Sequence, residues 1–191
     1  MIIDGHSHVI IPTERHIRLM DDNGIDKTIL FSTSVHPENV SNANELKVEM
    51  QKLNDIISGK RNAIDARKAS MQELRNTINK FPKRFIGFAS VPVGLDYNET
   101  MNYIENQFMG FNFLGFGEFT LASGQTRLLE SIFKASSDRK KLPIWIHAFN
   151  PLVLSDIKEI AELAKSYSNV PVILGHIGGS NWLESLDAYF G

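Results

Sequence analysis

The sequence predicts an α/β fold built on a parallel β-sheet. Six short apolar runs, rich in β-branched and aromatic residues, alternate with amphipathic stretches, and this alternation is typical of repeated βα units. Most of the runs are apolar almost throughout, as expected of strands that are buried on both faces of a parallel sheet. The 191 residues are enough for one domain with a full core, so we predict a single domain over residues 1–191.

The predicted elements follow one another in order along the chain. Strands are expected at Met1–Asp4, Lys27–Phe31, Arg84–Val91, Phe113–Phe119, Pro143–His147 and Pro171–Leu174. Helices are expected at about Glu14–Asn23, Ala43–Ile57, Asn62–Phe81, Asn98–Met109, Gln125–Lys140 and Leu154–Ser166, with a further helix beginning near Asn181. Asp22-Asn23-Gly24 and Phe81-Pro82 are typical helix stop signals.

One connection is longer than a βα unit requires. About 50 residues separate the second strand from the third, where roughly half that number would suffice. The excess is charged and helical, with an apolar stripe at Leu46, Met50, Leu53 and Ile57. We interpret residues 34–82 as a helical insertion. Three interpretations of it remain: a lid, a dimerisation element and a solvated helical hairpin.

Composition excludes several classes of function. Lys and Arg number 20 against 22 Asp and Glu, so no basic field exists for nucleic-acid binding. The absence of cysteine excludes disulfides, Fe–S clusters, thiolate zinc sites and a cysteine nucleophile. The G-x-S-x-G, P-loop and G-x-G-x-x-G motifs are absent, so serine-hydrolase, NTPase and dinucleotide-binding functions lack their usual sequence support.

No segment suggests a membrane or an export signal. No stretch reaches the roughly 20 apolar residues of a membrane span, and the N-terminal MIIDGHSHVII has no basic region before its apolar residues. The expected location is the cytoplasm, with no membrane partner.

The first strand ends in Asp4-Gly5-His6-Ser7-His8. Side chains at i and i+2 of a strand point to the same face, about 7 Å apart at the backbone. His6 and His8 therefore project together, and two neutral imidazoles can hold Zn, Fe, Ni or Cu. An H-x-H motif alone is unspecific.

Further polar side chains lie at the ends of later strands. His147 ends the fifth strand, His176 follows the sixth, and Glu118 follows Leu114-Gly115-Phe116-Gly117. In parallel α/β sheets functional groups gather at the carboxyl ends of strands. An acid in such an apolar run costs several kcal/mol if it is ionised and unpaired. A cation near Glu118 is one solution, and hydrogen bonds from a backbone loop or Arg127 are another.

The other polar candidates lie outside this pattern. His16 falls in the first helix and is expected at the surface, while His36 lies in the loop after the second strand, in reach of a substrate. Gly178-Gly179-Ser180 opens the next helix, where exposed backbone N–H groups would suit an anion.

Taken in order, these motifs resemble the amidohydrolase superfamily of metal-dependent TIM-barrel enzymes, in particular its amidohydrolase 2 branch. The matching segments are Asp4–His8, Phe81–Phe88, Gly115–Glu118, Ile146-His147 and Leu174–Gly179. The ordered set is more specific than any one motif, and it spans the chain from Met1 to the helix after Gly179. The resemblance implies a TIM-type (β/α) barrel, of which about six βα units are present.

The resemblance also implies roles for these residues. His6, His8 and His147 correspond to metal ligands of the family, and Glu118 corresponds to a metal-ligating acid of the TatD-like relatives. His176 corresponds to the catalytic histidine, which either binds a second metal or polarises substrate and water. The implied cofactor is a divalent metal, one or two ions, with Zn favoured over Mn, Fe or Ni.

The family's general base differs from what this sequence offers. The base is an aspartate at the end of the eighth strand, but six strands can be counted and no suitable Asp follows His176. Asp187 falls within the predicted last helix. We therefore expect the last two βα units to be missing.

Three functions remain open at this point. The first is a hydrolase in which metal-activated water attacks an amide, ester or lactone carbonyl of a small molecule. The second is a non-oxidative decarboxylase of an aromatic or unsaturated acid, whose branch the Gly175–Gly179 segment resembles, although Glu118 fits it less well. The third is a truncated metal-binding barrel without turnover. Exposed sheet edges also favour a homo-oligomer.

Overall fold

Six strands alternate with helices along the chain, as the sequence predicts. The computed structural model describes residues 1–58, 60, 63–108, 111, 113–139 and 141–190, of which 63 and 188–190 are described by their backbone. The strands are β1 Ile3–His8, β2 Lys27–Phe31, β3 Phe85–Ala89, β4 Gly115–Phe119, β5 Ile144–His147 and β6 Val172–Gly175. The α-helices are α1 Thr13–Asp22, α2 Ala43–Ile57, α3 Ala63–Lys80, α4 Tyr97–Phe108, α5 Glu130–Asp138, α6 Leu154–Ser166 and α7 Trp182–Phe190.

Several elements have the predicted bounds, and one differs in a way that matters. Strand β2 and helices α2 and α6 begin and end at the predicted residues. Strand β1 extends beyond the apolar run to His8, so both histidines of the H-x-H motif are strand residues. The helix ends predicted at Asn62, Met109 and Lys140 lie outside the described residues.

The chain divides into two compact units. Unit 1 comprises Met1–Ser90 and Phe111–Leu114, and unit 2 comprises Val91–Gly110 and Gly115–Gly191. A single domain over residues 1–191 stays a prediction. Of the described helices, none combines the length and the apolar character needed to cross a membrane.

Unit 1 contains three parallel strands. Strand β1 pairs with β2 and β2 pairs with β3, and the β1–β2 register shifts between Asp4 and Ser7. Leu30 and Phe31 of β2 and Phe88 of β3 are buried in its core. Their burial on consecutive residues agrees with the nearly continuous apolar runs expected of parallel strands.

The two helices between β2 and β3 differ in their packing. Helix α3 lies directly against β3, because a Cβ added at Gly87 would come under 3.0 Å from Ile78. Helix α2 has no buried residue. This is the arrangement expected if α3 is the crossover helix and α2 the additional element of a helical insertion, which itself stays a prediction.

Unit 2 contains the other three strands, also parallel. Strand β4 pairs with β5 and β5 pairs with β6. The core between the strands and helices α5 and α6 is formed by Phe119, Phe133, Ile144, Ile146, Ile157 and Ile160, which are all buried. Because parallel strands all end at the same edge of their sheet, Glu118, His147 and His176 are delivered to one edge.

Candidate metal centre

Three of the predicted site residues come together at the carboxyl ends of β4, β5 and β6. Nδ1 of His147 lies 3.0 Å from Oε1 of Glu118, and Nε2 of His176 lies 3.9 Å from the same oxygen. One ligand atom from each residue lies within 4.8 Å of the others. Donors held about 2.0–2.2 Å from a tetrahedral ion lie about 3.3–3.6 Å apart, so the atoms of the triad lie near, but not at, the spacing of ligands around a divalent cation.

The strand register explains this meeting. His147 is level with Gly175 across the β5–β6 pair, so the next residue, His176, emerges beside it. Phe119 is level with Ile146 across the β4–β5 pair, which places Glu118 near the end of β5. The imidazole rings of His147 and His176 have centroids 4.6 Å apart.

Two glycines permit the strands to approach closely at this edge. Gly117 has a φ of 129°, and a Cβ added there would come under 3.0 Å from the backbone oxygen of Trp145. A Cβ added at Gly175 would lie 3.3 Å from Oε1 of Glu118. Glu118 and His176 are therefore each preceded by a glycine where the neighbouring strand leaves little room for a Cβ. Glycine in a strand often marks such a close approach of another backbone.

The triad is graded in its exposure. The Glu118 side chain is 4% exposed and the His176 side chain is 45% exposed, with His147 between them. A buried carboxylate needs compensation by a partner, which the His147 imidazole provides. A carboxylate oxygen accepts hydrogen bonds, so this contact fits the tautomer in which Nδ1 of His147 donates to Oε1 of Glu118 and Nε2 is left for a cation.

The segment that carries His176 has an unusual backbone. His176 has a φ of 57° and Ile177 a φ of 50°, a region that β-branched residues rarely adopt. Such conformations cost on the order of 1–3 kcal/mol each and concentrate at functional sites. Gly178, Gly179 and Ser180 follow in the same segment, His176–Asn181, whose backbone is not helical at Ile177, Gly178 and Gly179. An anion site at this backbone stays a prediction.

The other two predicted ligands form a pair in unit 1. The rings of His6 and His8 have centroids 5.2 Å apart, and each ring also contacts Phe31, at 4.7 Å and 6.2 Å. The backbone N–H of His6 donates to Oδ1 of Asp4 at 3.2 Å. The two imidazoles thus share a side of β1, as strand periodicity predicts.

His16 is not at the surface, and the expectation for it was wrong. The side chain is buried, and its Nε2 lies 3.4 Å from Oγ of Ser7, between the two histidines of β1. Burial lowers the pKa of His16 below 6.5. Thr13, His16 and Met20 form the buried face of α1; their i, i+3, i+7 spacing was the signal that could have indicated it.

His36 and Arg127 are engaged elsewhere. The two ring nitrogens of His36 lie 3.0 Å from Oε1 of Glu38 and 3.1 Å from Oε2 of Glu73, so this ring is bound within a carboxylate cluster of unit 1. Arg127 forms ion pairs with Glu159 and Glu162. The His147 ring, and not Arg127, is a partner of Glu118. Asp187 lies exposed in α7, the helix in which it was predicted.

Comparison with known proteins identifies the fold. A comparison with family models found no match, and neither did one with proteins of curated function. Among solved structures, an amidohydrolase II superposes with a TM-score of 0.59 at 13% identity, over 100% of this chain and 74% of that one. The 5-carboxyvanillate decarboxylase of Sphingomonas paucimobilis gives 0.62 at 14% identity, over 100% and 72%.

A third similar structure contains a metal. The dihydroxybenzoic acid decarboxylase of a Polaromonas species, solved with bound manganese, gives a TM-score of 0.53 at 17% identity, over 94% of this chain and 66% of that one. At these identities the likeness concerns the fold. The predicted fold is therefore confirmed: six parallel βα units of the TIM-type barrel found in the amidohydrolase structures.

Proposed function

We propose that this chain is a metal-dependent hydrolase of the amidohydrolase superfamily, acting on an amide, ester or lactone carbonyl of a small molecule. The observation that carries the proposal is the triad of Glu118, His147 and His176, whose ligand atoms all lie within 4.8 Å. The order of the motifs along the chain and the shared fold support the same superfamily.

The donor set suits a divalent transition metal. Two imidazoles and a carboxylate match the ligand preference of Zn²⁺, with Mn²⁺, Fe²⁺ and Ni²⁺ as alternatives, and a similar structure holds manganese. Such an ion lowers the pKa of water to about 7 and polarises a carbonyl. His6 and His8 are proposed as metal ligands because of the resemblance and their common side of β1; one or two ions are compatible with this set.

The residues of the triad are assigned different tasks. Glu118, the most buried, is a proposed metal ligand that also holds the His147 ring through Nδ1, which would leave Nε2 of that ring for the cation. His176, the most exposed, is the proposed catalytic residue, which would either bind a second metal or polarise substrate and water.

Decarboxylation is the second candidate. Two of the three similar structures described above are decarboxylases of aromatic acids, and the Gly175–Gly179 segment resembles that branch. Glu118 fits that branch less well than it fits the hydrolases.

Elemental analysis tests the metal centre. Protein purified without added metal is expected to contain a divalent ion or to take up zinc or manganese, and His147→Ala is expected to lose it. His36→Ala is the matched control, because His36 also contacts carboxylates but lies outside the triad. Absence of bound metal together with absence of uptake would sink the proposal.

Product analysis separates the reactions. The metal-loaded protein is assayed with panels of amides, esters and lactones, and with aromatic and unsaturated carboxylic acids. Hydrolysis products without carbon dioxide support the hydrolase, whereas release of carbon dioxide supports the decarboxylase. Tight metal binding without either reaction favours a metal-binding protein without turnover.

A homo-oligomer and a cytoplasmic location are proposed as well. Trp182, Leu183 and Leu186 of α7 are exposed apolar residues, and a surface of this kind favours association. The lack of cysteine fits a reducing compartment. Light scattering at high protein concentration is expected to show an oligomer, and monomers would contradict this.

A further inference from the structure

Asp156 of α6 is a buried carboxylate outside the proposed metal centre. Its side chain is 2% exposed. Its Oδ2 accepts hydrogen bonds from Oγ of Ser123 at 2.7 Å and from the backbone N–H of Val153 at 2.8 Å. Its Oδ1 accepts one from the backbone N–H of Gly124 at 2.7 Å. Three hydrogen-bond donors therefore converge on the carboxylate of Asp156.

These donors come from the two segments that carry the triad. Ser123 and Gly124 follow β4, five and six residues after Glu118, and Val153 follows β5, six residues after His147. One carboxylate thus connects the segment after Glu118 with the segment after His147. The hydrogen-bond donors lie five to six residues along the chain from Glu118 and from His147.

Three acidic residues of α6, spaced three apart, contact the segment after β4. We name Asp156, Glu159 and Glu162 the acidic seam, and Asp156 is its buried end. Glu159 accepts from Oγ1 of Thr126, and Glu162 pairs with Arg127. The seam follows the segment after β4 outward to solvent, where the Glu162 side chain is 63% exposed. Since exposed pairs contribute little, the constraint is concentrated at Asp156.

We propose that Asp156 is a positioning residue that sets the contact between Glu118 and His147 by tying their two segments together. Its effect on metal binding rests on the proposed function. Its effect on the Glu118–His147 hydrogen bond does not, since that bond exists within the protein itself.

Asparagine cannot replace this residue. Both oxygens of Asp156 accept from backbone N–H groups, whereas asparagine offers one acceptor and one NH₂ donor. In Asp156→Asn one backbone N–H group must therefore face another donor. Removing such a partner leaves a buried polar group unsatisfied.

The test is an NMR measurement on the full chain without metal. The hydrogen bond to Glu118 is expected to protect the Nδ1 proton of His147 from exchange with solvent. This proton should therefore give a slowly exchanging imidazole signal, which is lost in His147→Ala. In Asp156→Asn the signal is expected to be lost or to exchange faster. Glu162→Gln, at the exposed end of the same seam, is expected to retain it.

A second readout is the dissociation constant for Zn²⁺, measured by calorimetry. Changes in residues that orient metal ligands typically weaken affinity by about 10–100-fold, and we expect this range for Asp156→Asn and no change for Glu162→Gln. Ser123→Ala removes one of the three hydrogen bonds. It is expected to weaken affinity less, in the same direction, and it carries the test if Asp156→Asn does not fold.

The outcomes separate the two proposals. An imidazole signal that is unchanged in Asp156→Asn and Ser123→Ala, or is missing from the unaltered protein, overturns the positioning role. Loss of the signal in Asp156→Asn, in a chain that takes up no metal, supports the positioning role and overturns the metal centre. Equal weakening of Zn²⁺ binding by Glu162→Gln also overturns the positioning role, because it shows a general effect.

Discussion

The His6–His8 pair and the triad of Glu118, His147 and His176 are assembled in different ways. His6 and His8 belong to one strand, and their common side follows from the alternation of side chains along β1. Glu118, His147 and His176 come from three strands, and their meeting depends on register and on glycines that let the strands approach. The pair needs local geometry, whereas the triad needs tertiary structure.

The supports of the two sets differ in the same way. Behind the pair, a neutral imidazole, His16, contacts Ser7 through a single pair of atoms, and its Nδ1 is buried with no hydrogen-bond partner among the described residues. In unit 2, a carboxylate, Asp156, accepts three hydrogen bonds from the segments that follow β4 and β5. We infer that the triad is held by a stronger and more sensitive framework than the pair.

The glycines before the donors are expected to show the largest contrast. Gly117→Ala places a Cβ against the Trp145 backbone oxygen at a φ of 129°, and we expect a loss of about 2–4 kcal/mol in the free energy of unfolding. Gly5→Ala, just before His6, is the control, because nothing lies within 4 Å of its Cβ. Urea unfolding measures both, and equal losses would show that the strands do not approach as described.

Asp156→Asn is expected to have the next largest effect, about 1–3 kcal/mol at neutral pH, from the unsatisfied backbone group. Burial raises the pKa of Asp156, but hydrogen bonds from Val153, Gly124 and Ser123 outweigh it, and the pKa lies below 3.8. The ionised form therefore stabilises the fold above the unfolded pKa of about 3.8, and this contribution is lost as the pH falls through the folded pKa.

The acid limb of the unfolding profile measures this. The difference in stability between the unaltered protein and Asp156→Asn is expected to be constant from pH 7 to about pH 5 and to shrink in stronger acid. A difference that grows on acidification would contradict the assignment of an ionised, hydrogen-bonded carboxylate.

His16 is expected to give the smallest effect, with a different pH window. Its folded pKa lies below 6.5 because of burial, so acid protonates the unfolded chain first, and stability falls as the pH drops through 6.5 until the folded pKa is reached. His16→Gln does not titrate and is expected to show a flatter profile between pH 7 and pH 5. An unchanged slope in this variant would assign the pH dependence to other groups.

Much of the fold and of the triad could be predicted from the sequence. Apolar runs located the strands. The rule that parallel strands end at one edge predicted a cluster of His6, His8, Glu118, His147 and His176, of which the last three lie together in unit 2. The buried supports could not be predicted in the same way. His16 and Asp156 are polar, and polar residues are mostly exposed, so their burial depends on partners such as Ser7 and Ser123 that are distant in sequence.

The most direct test of the metal centre is anomalous diffraction from crystals grown with zinc, recorded at the zinc absorption edge. The account predicts an anomalous peak about 2.0–2.2 Å from a ring nitrogen of His147, at the ends of β5 and β6. A peak at this position that disappears in His147→Ala would establish the centre. Zinc-soaked crystals without density beside Glu118, His147 and His176 would contradict it.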